Sequence, residues 1–228
     1  MIFDAAWLPL FWRGVTRLGE AQILLPAALL AAAWLSWRVR AGQAALMWLV
    51  LLSAAAGLTT ATKVAFIGWG LGSAAWDFTG ISGHAMFAAA VHPLLLRVMA
   101  TNAPPRTQSL AIATGFALAL LVAQSRLEVH AHSVSEVVTG FGLGAAVSLA
   151  VLGWQHIPKM HAPPWVPLLL LAWLMALPAG APPSRTHDMV TRLSLKLSGR
   201  HQAFTRHDLH RPALPPALPR QPLALAGA

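Results

Sequence analysis

The chain contains no cysteine, so neither a disulfide nor a thiolate metal site is available to it, and a cysteine-free chain fits either side of a membrane. Charge is nearly as scarce. Only 10% of residues are Asp, Glu, Lys or Arg against 57% hydrophobic, and the mean hydropathy is +0.60. Those values exclude an ordinary soluble globule and describe a multi-spanning helical membrane protein. Strict alternation of apolar and polar residues is also missing; the apolar residues come in blocks, which argues against a transmembrane barrel. No internal repeat stands out. No short basic leader with a small-residue cleavage site is visible, so the first apolar run is expected to be a retained span.

Acidic residues number 7 against 16 basic ones, a formal charge of +9, but seven of the Lys and Arg residues lie after Ala181. The basic excess therefore belongs mostly to the tail, where anionic lipid is a better partner than nucleic acid. The expected fold is all-α: an integral membrane bundle of about six transmembrane helices. Residues 1–20, with aromatics beside Arg13 and Arg17, are expected to lie in the headgroup region. Residues 21–180 form the transmembrane domain, and 181–228 a basic, Pro-rich, partly disordered tail.

The six spans are placed at 21–37, 44–62, 83–100, 108–124, 133–154 and 165–180, each near the ~20 residues a bilayer requires. Arg38 and Arg40, Arg97 to Arg106 with Pro104-Pro105, and Lys159 with Pro163-Pro164 separate them. Alternation puts those basic residues on one side. It puts Lys63, Asp77, His84, Arg126, His132 and both termini on the other. The positive-inside rule then makes the second group extracytoplasmic. In the tail, Met189, Val190, Leu193 and Leu197 are spaced for one face of a short helix, with Arg192 and Lys196 free to meet lipid phosphates. The stretch 211–222 is expected to be disordered.

Ionisable residues at the ends of membrane helices are functional candidates by default. Lys63 ends the second span; Ser82, Gly83 and His84 open the third; Arg126 follows the fourth; His132 opens the fifth, with Glu136 one turn on. Singly, Lys63 reads as a snorkelling anchor and His84 as a capped histidine. Together they place two cations, two histidines and a carboxylate on one face of a small bundle. His132 and Glu136, four apart, are neighbours. A carboxylate there accepts the Nδ1 proton and leaves Nε2 as nucleophile or base. Backbone N–H groups near Ser82 to His84 open a helix and form an anion pocket, with Lys63 and Arg126 as countercharge. Such a site suits a phosphoryl group.

At these residues the chain resembles the type 2 phosphatidic acid phosphatase superfamily, which includes lipid phosphate phosphatases and undecaprenyl-diphosphate phosphatases. The family's motifs are K-x-x-x-x-x-x-R-P, P-S-G-H and S-R-x-x-x-x-x-H-x-x-x-D. Here the first begins at Lys63, the second is Ile81-Ser82-Gly83-His84, and the third runs from Ser125-Arg126 to His132 and Glu136. The resemblance implies a metal-independent and cofactor-free lipid phosphatase of a bacterial-type inner (cell) membrane, its site facing the periplasmic or extracytoplasmic side. His132 would form a phosphohistidine with Glu136 orienting it. His84 would protonate the leaving oxygen and then activate water, while Lys63, Ser82, Gly83 and Arg126 would hold the phosphoryl oxygens. Three positions depart from the pattern: Gly70-Leu71 stand for Arg-Pro, Ile81 for proline, and Glu136 for aspartate. His130 has no role in it.

Other readings compete. Gly80-Ile81-Ser82-Gly83 fits the G-x-S-G of a rhomboid-like intramembrane serine protease with Ser82 as nucleophile and His132 as base, but this leaves Lys63, Arg126, His84 and Glu136 unused. A haem held between His84 and His132 leaves the cations unexplained. A non-catalytic lipid-binding membrane protein is the fourth reading.

Overall fold

The computed structural model describes residues 7–38, 41–154 and 186–211. Among them the chain is all-α, with eight helices: α1 (Trp7–Arg17), α2 (Ala21–Arg38), α3 (Gly42–Trp69), α4 (Gly83–Met99), α5 (Pro105–Glu128), α6 (Val134–Trp154), α7 (Thr186–Ser198) and α8 (Arg206–Leu209). One antiparallel bridge, Ser73 to Phe78, is the only extended pairing among the described residues. The sixth expected span, 165–180, lies outside them, as do Arg40, Lys159, residues 1–6 and the tail from 212 on.

Four stretches are long and apolar enough to cross a bilayer: Trp7–Trp37, Gly42–Trp69, Pro105–Glu128 and Val134–Gly153. This is a multi-pass membrane protein, with apolar residues on its outside as lipid requires. Leu29, Leu30, Leu46, Val50, Leu110, Leu120, Val138 and Leu149 are all exposed. The second span continues past its expected end at 62, so Lys63 lies within α3 rather than closing it.

At 17 residues, α4 is the shortest of the apolar helices and the most enclosed. It runs between α5 and α6, also touching α2 and α3, and Ala85, Met86, Ala88, Ala89, Ala90, Val91, Leu94 and Leu95 are buried. Small residues permit the approach, the usual basis of close helix packing in membranes. A Cβ on Gly115 of α5 would stand 2.5 Å from Cα of Pro93, and one on Gly140 of α6 would stand 2.5 Å from the Ser82 carbonyl. Pro93 has no N–H to donate to the Ala89 carbonyl one turn back. The Ser148 hydroxyl of α6 donates there instead, and Trp48 Nε1 of α3 donates to the Ala90 carbonyl at 3.1 Å. Buried His92 ties α4 to the α1–α2 turn, Nε2 donating to the Leu18 carbonyl at 3.1 Å. The packing thus fixes the height and rotation of α4, and with them the direction of its first residues, Gly83 and His84.

Residues 186–211 are not a free tail. Val190 of α7 is buried with Val64, Phe66 and Ile67 of α3, and Phe204 and Leu209 pack on the same cluster. The expected apolar face of α7 is only partly used, because Met189, Leu193 and Leu197 are exposed.

Candidate active site

Helix directions bring the candidate residues to one end of the bundle. Lys63 lies near the C-terminal end of α3, His84 near the start of α4, Arg126 in the last turn of α5, and His132 and Glu136 at the entry to α6. Arg97 and Arg106 lie at the opposite end, closing α4 and opening α5. Lys63 Nζ is 3.9 Å from where a Cβ on Gly83 would stand. His84 lies within electrostatic reach of Arg126, Lys63 and His132. His130, with a left-handed φ of 53°, is exposed and stands apart.

Glu136 is the anchor. Its side chain is fully buried, and its Oε2 accepts from His132 Nδ1 at 2.6 Å. The same oxygen accepts from the Ser133 N–H at 3.2 Å, while the Ser133 hydroxyl accepts from the Glu136 N–H at 3.4 Å. That reciprocal pair is a capping box. Glu136 therefore serves the helix end and the histidine together. Oε1 accepts from the Thr79 N–H at 2.6 Å and the Thr79 hydroxyl at 2.5 Å. With Nδ1 committed, His132 Nε2 has no hydrogen-bond partner among the described residues, and its lone pair is available. Burial, with the charges of Lys63 and Arg126, holds the imidazole below the usual histidine range against the opposing pull of Glu136.

The loop between α3 and α4 is stitched over this carboxylate. Ser73 and Phe78 exchange backbone hydrogen bonds at 2.9 Å, the Ser82 N–H donates to the Glu136 carbonyl at 3.0 Å, and the Ser135 hydroxyl donates to the Trp76 carbonyl at 2.6 Å. Gly80 adopts φ 143°, and a Cβ there would stand 2.9 Å from Lys63 Cγ, so only glycine lets the loop close on the lysine stem.

The other two departures have local causes. Ile81 donates its N–H to Thr62 Oγ1 at 3.2 Å, which proline could not do. Gly70 ends α3 in the left-handed region at φ 72°, its N–H on the Phe66 carbonyl at 2.7 Å, and the Leu71 N–H reaches the Ala65 carbonyl at 3.3 Å. This closure needs glycine at 70 and a donor at 71. The Phe204 ring fills the space where a side chain on Gly70 would start, 3.1 Å from its Cβ position.

Arg126 is placed by a relay that sequence reasoning missed. Its Nη1 donates to Thr16 Oγ1 at 3.3 Å, Thr16 lies 2.8 Å from Ser125 Oγ, and Ser125 donates to the Val122 carbonyl at 2.6 Å. Since Ser125 spends its one proton on that carbonyl, Thr16 donates to Ser125 and accepts from Arg126. Arg126 Nε and Ser82 Oγ remain buried without a partner. Unsatisfied polar atoms of this kind mark a place where an anion's oxygens would be welcome. Ser82 Oγ makes no hydrogen bond to either histidine, so the serine–base pair of a serine nucleophile is not formed.

Two further residues went unread in the sequence. Nothing local distinguishes Thr79, or Arg206 among the seven basic residues after Ala181, yet both meet the carboxylate: Arg206 Nη2 donates to both Glu136 oxygens at 2.8 Å. A groove of about 970 Å³ adjoins the cluster, walled by Trp76, Phe78, Leu127, Val138 and Thr139 and reaching the candidate residues at His132 alone.

The chain is similar to known proteins. The chain is 33% identical over 207 residues to a Klebsiella pneumoniae protein described as "Uncharacterized 22.5 kDa protein in cps region", covering 89% of this chain and 99% of that one. Its fold is similar to the crystal structure of a transmembrane PAP2 type phosphatidylglycerolphosphate phosphatase from Bacillus subtilis, with a TM-score of 0.54 over 67% of this chain and 79% of the other; at 24% identity this likeness concerns the fold alone. Residues 5–159, which hold the whole cluster except Arg206, match the model of the PAP2 superfamily, and the chain belongs to that family of membrane phosphatases.

Proposed function

We propose that the chain hydrolyses a phosphate monoester or diphosphate of a membrane lipid, of the phosphatidate or isoprenyl diphosphate type, through a phosphohistidine at His132. The observation that carries the reading is the His132–Glu136 contact of 2.6 Å through Nδ1, with Nε2 left unpartnered. Nε2 attacks the terminal phosphorus, the bond from that phosphorus to its leaving oxygen (the lipid oxygen of a monoester, the bridging oxygen of a diphosphate) breaks, and His84 gives its proton to the departing oxygen. His84 then takes a proton from water, which attacks the phosphohistidine; the P–N bond breaks and inorganic phosphate leaves. Lys63, Arg126, Ser82 and the Gly83 N–H meet the phosphoryl oxygens, and charge on those oxygens is where the transition state differs most from the substrate. The two cations supply what a divalent ion supplies elsewhere, so the reaction as proposed proceeds without metal or cofactor. The Bacillus subtilis protein of like fold is named for a lipid phosphate, and the same class is proposed here.

A site at helix ends admits a lipid sideways from the bilayer, its headgroup at the cluster and its chains along the apolar groove beside His132. With Arg97 and Arg106 at the far end of the bundle, the positive-inside rule, applied without the C-terminal segment, supports a cluster on the extracytoplasmic face of a cell membrane. The test is phosphate release by purified protein from phosphatidate and from isoprenyl diphosphate. His132→Ala and His84→Ala abolish it, Ser82→Ala only weakens it, and a chelator leaves it intact. Release undiminished in His132→Ala contradicts the reading.

A further inference from the structure

Arg206 is the one guanidinium among the described residues that hydrogen-bonds to the His132–Glu136 pair, and it comes from beyond the residues that match the family. Nη2 donates to Glu136 Oε1 and Oε2, each at 2.8 Å, and to Thr79 Oγ1 at 3.3 Å. Nη1 donates to the Asp77 carbonyl at 2.8 Å and pairs with Asp77 Oδ2 at 2.5 Å. One side chain thus bridges the carboxylate behind His132 and the loop that covers it.

The segment carrying it is seated by contacts that do not involve Arg206. The Phe204 N–H donates to the Ile67 carbonyl at 2.9 Å, its ring covers Gly70, and Arg200 stacks on that ring at 4.2 Å. Thr205 and Asp208 form a capping box that starts α8 at Arg206 itself. His210 Nε2 lies 2.7 Å from Asp77 Oδ1, which holds the Asp77 carboxyl below its usual range.

The direction of approach decides what Arg206 does. His132 meets Glu136 through Nδ1, and Nε2 lies across the ring from that contact. A guanidinium spent on Glu136, Thr79 and Asp77 stands behind the nucleophile rather than over the phosphate. A fully buried carboxylate with no cation on it would draw a second proton onto the imidazole and hold it there. With Arg206 in place the carboxylate is neutralised, and it orients His132 without protonating Nε2.

We propose that Arg206 is a positioning residue for the reaction: the segment 200–210 closes over the α3–α4 loop and delivers a guanidinium that keeps Glu136 ionised and aligned behind His132. This rests on the reading of His132 as nucleophile, and the tests separate the two.

Full-length protein with Arg206→Gln, Arg206→Lys, Glu136→Gln and the Arg206→Gln/Glu136→Gln pair is assayed on phosphatidate in detergent micelles. Arg206→Gln is expected to lower kcat about 10- to 100-fold, the usual effect of losing a partner that orients a reactive group, with KM within twofold. The acid limb of kcat/KM moves to higher pH. Arg206→Lys, whose single ammonium cannot span Glu136 and Asp77, falls between. In the Glu136→Gln background, Arg206→Gln costs less than about threefold, because the two act as a unit. A rise in KM at constant kcat identifies a phosphate ligand instead and overturns the proposal, as do losses that multiply in the double variant.

The groups facing His132 are Lys63 from α3, His84 from α4, Arg126 from α5 and Glu136 from α6, with Arg206, Asp77 and His210 behind the last. Wild type and Arg206→Gln differ only at residue 206, so a ¹⁵N-histidine titration of His132 in the two reads the effect of the guanidinium without turnover. An upward shift of the midpoint supports the proposal even if phosphatidate is not hydrolysed. An unmoved midpoint in folded protein overturns it. Where Arg206→Gln does not fold, the same comparison with Arg206→Lys applies, with a smaller upward shift expected.

Discussion

Replacing Glu136 with Gln exchanges one carboxylate oxygen for an amide NH2 and removes a charge at nearly constant volume. Five donor groups converge on that carboxylate: His132 Nδ1, the Ser133 N–H, the Thr79 N–H, the Thr79 hydroxyl and Arg206 Nη2. Glutamine accepts on one oxygen only. If that oxygen faces His132, the NH2 is pressed against the Thr79 N–H at a position where the acceptor now stands 2.6 Å away, and buried donors lose their partner at about 1–3 kcal/mol each. If the amide turns over, NH2 donates to Nδ1, the imidazole proton moves to Nε2, and the nucleophilic lone pair is gone. Either arrangement disables His132. Loss of a positioned proton-handling group typically costs about 10²–10⁴-fold, which at ~1.36 kcal/mol per tenfold is roughly 3–5 kcal/mol of barrier. KM should hold within twofold, because Lys63 and Arg126 are untouched. Initial rates of phosphate release from phosphatidate, with a thermal melt of each preparation, measure this. A folded Glu136→Gln protein with kcat within threefold of wild type refutes the reasoning.

Further outcomes follow from the same geometry. Gly70→Arg, which restores the residue the family pattern calls for, is expected to leave activity no higher and to lower stability. A side chain in the left-handed region costs about 1–2 kcal/mol before its contact with Phe204 is counted, which a melting curve reads. Gly80→Ala pushes on the Lys63 stem and should raise KM about tenfold, equivalent to ~1.4 kcal/mol of lost phosphate binding. For pH, burial and two cations hold His132 below its usual range, so at pH 7 it is neutral and nucleophilic. Activity is lost as pH falls through that lowered pKa, and the acid limb of kcat/KM should lie below the ordinary histidine value of ~6.5; a limb above it contradicts the assignment.

Much of the bundle was legible because bilayer spans announce themselves by length and apolarity, and four of the expected spans correspond to the long apolar stretches. The His132–Glu136 contact was legible because four residues is a fixed neighbour distance at a helix entry. The capping box at Ser133 was also written there, as S-x-x-E. Other features were not legible. Thr79 and Arg206 reach Glu136 across 57 and 70 residues, and no periodicity links positions that far apart. Arg206 was one of seven basic tail residues with nothing local to distinguish it. The end of α3 was misplaced because Lys63 looks like a terminus, whereas the true stop signal is Gly70 in its left-handed turn. Gly70, Leu71 and Ile81 looked like losses from the pattern, yet each makes a backbone conformation or N–H contact that arginine or proline would forbid.

The most direct measurement is to trap the covalent intermediate. Purified protein is quenched in alkali within milliseconds of mixing with ³²P-labelled phosphatidate, and the labelled peptide is identified. The account predicts acid-labile, alkali-stable label on the peptide containing His132, absent from His132→Ala. Rapid phosphate release with no label at His132, or label carried by Ser82, would contradict it.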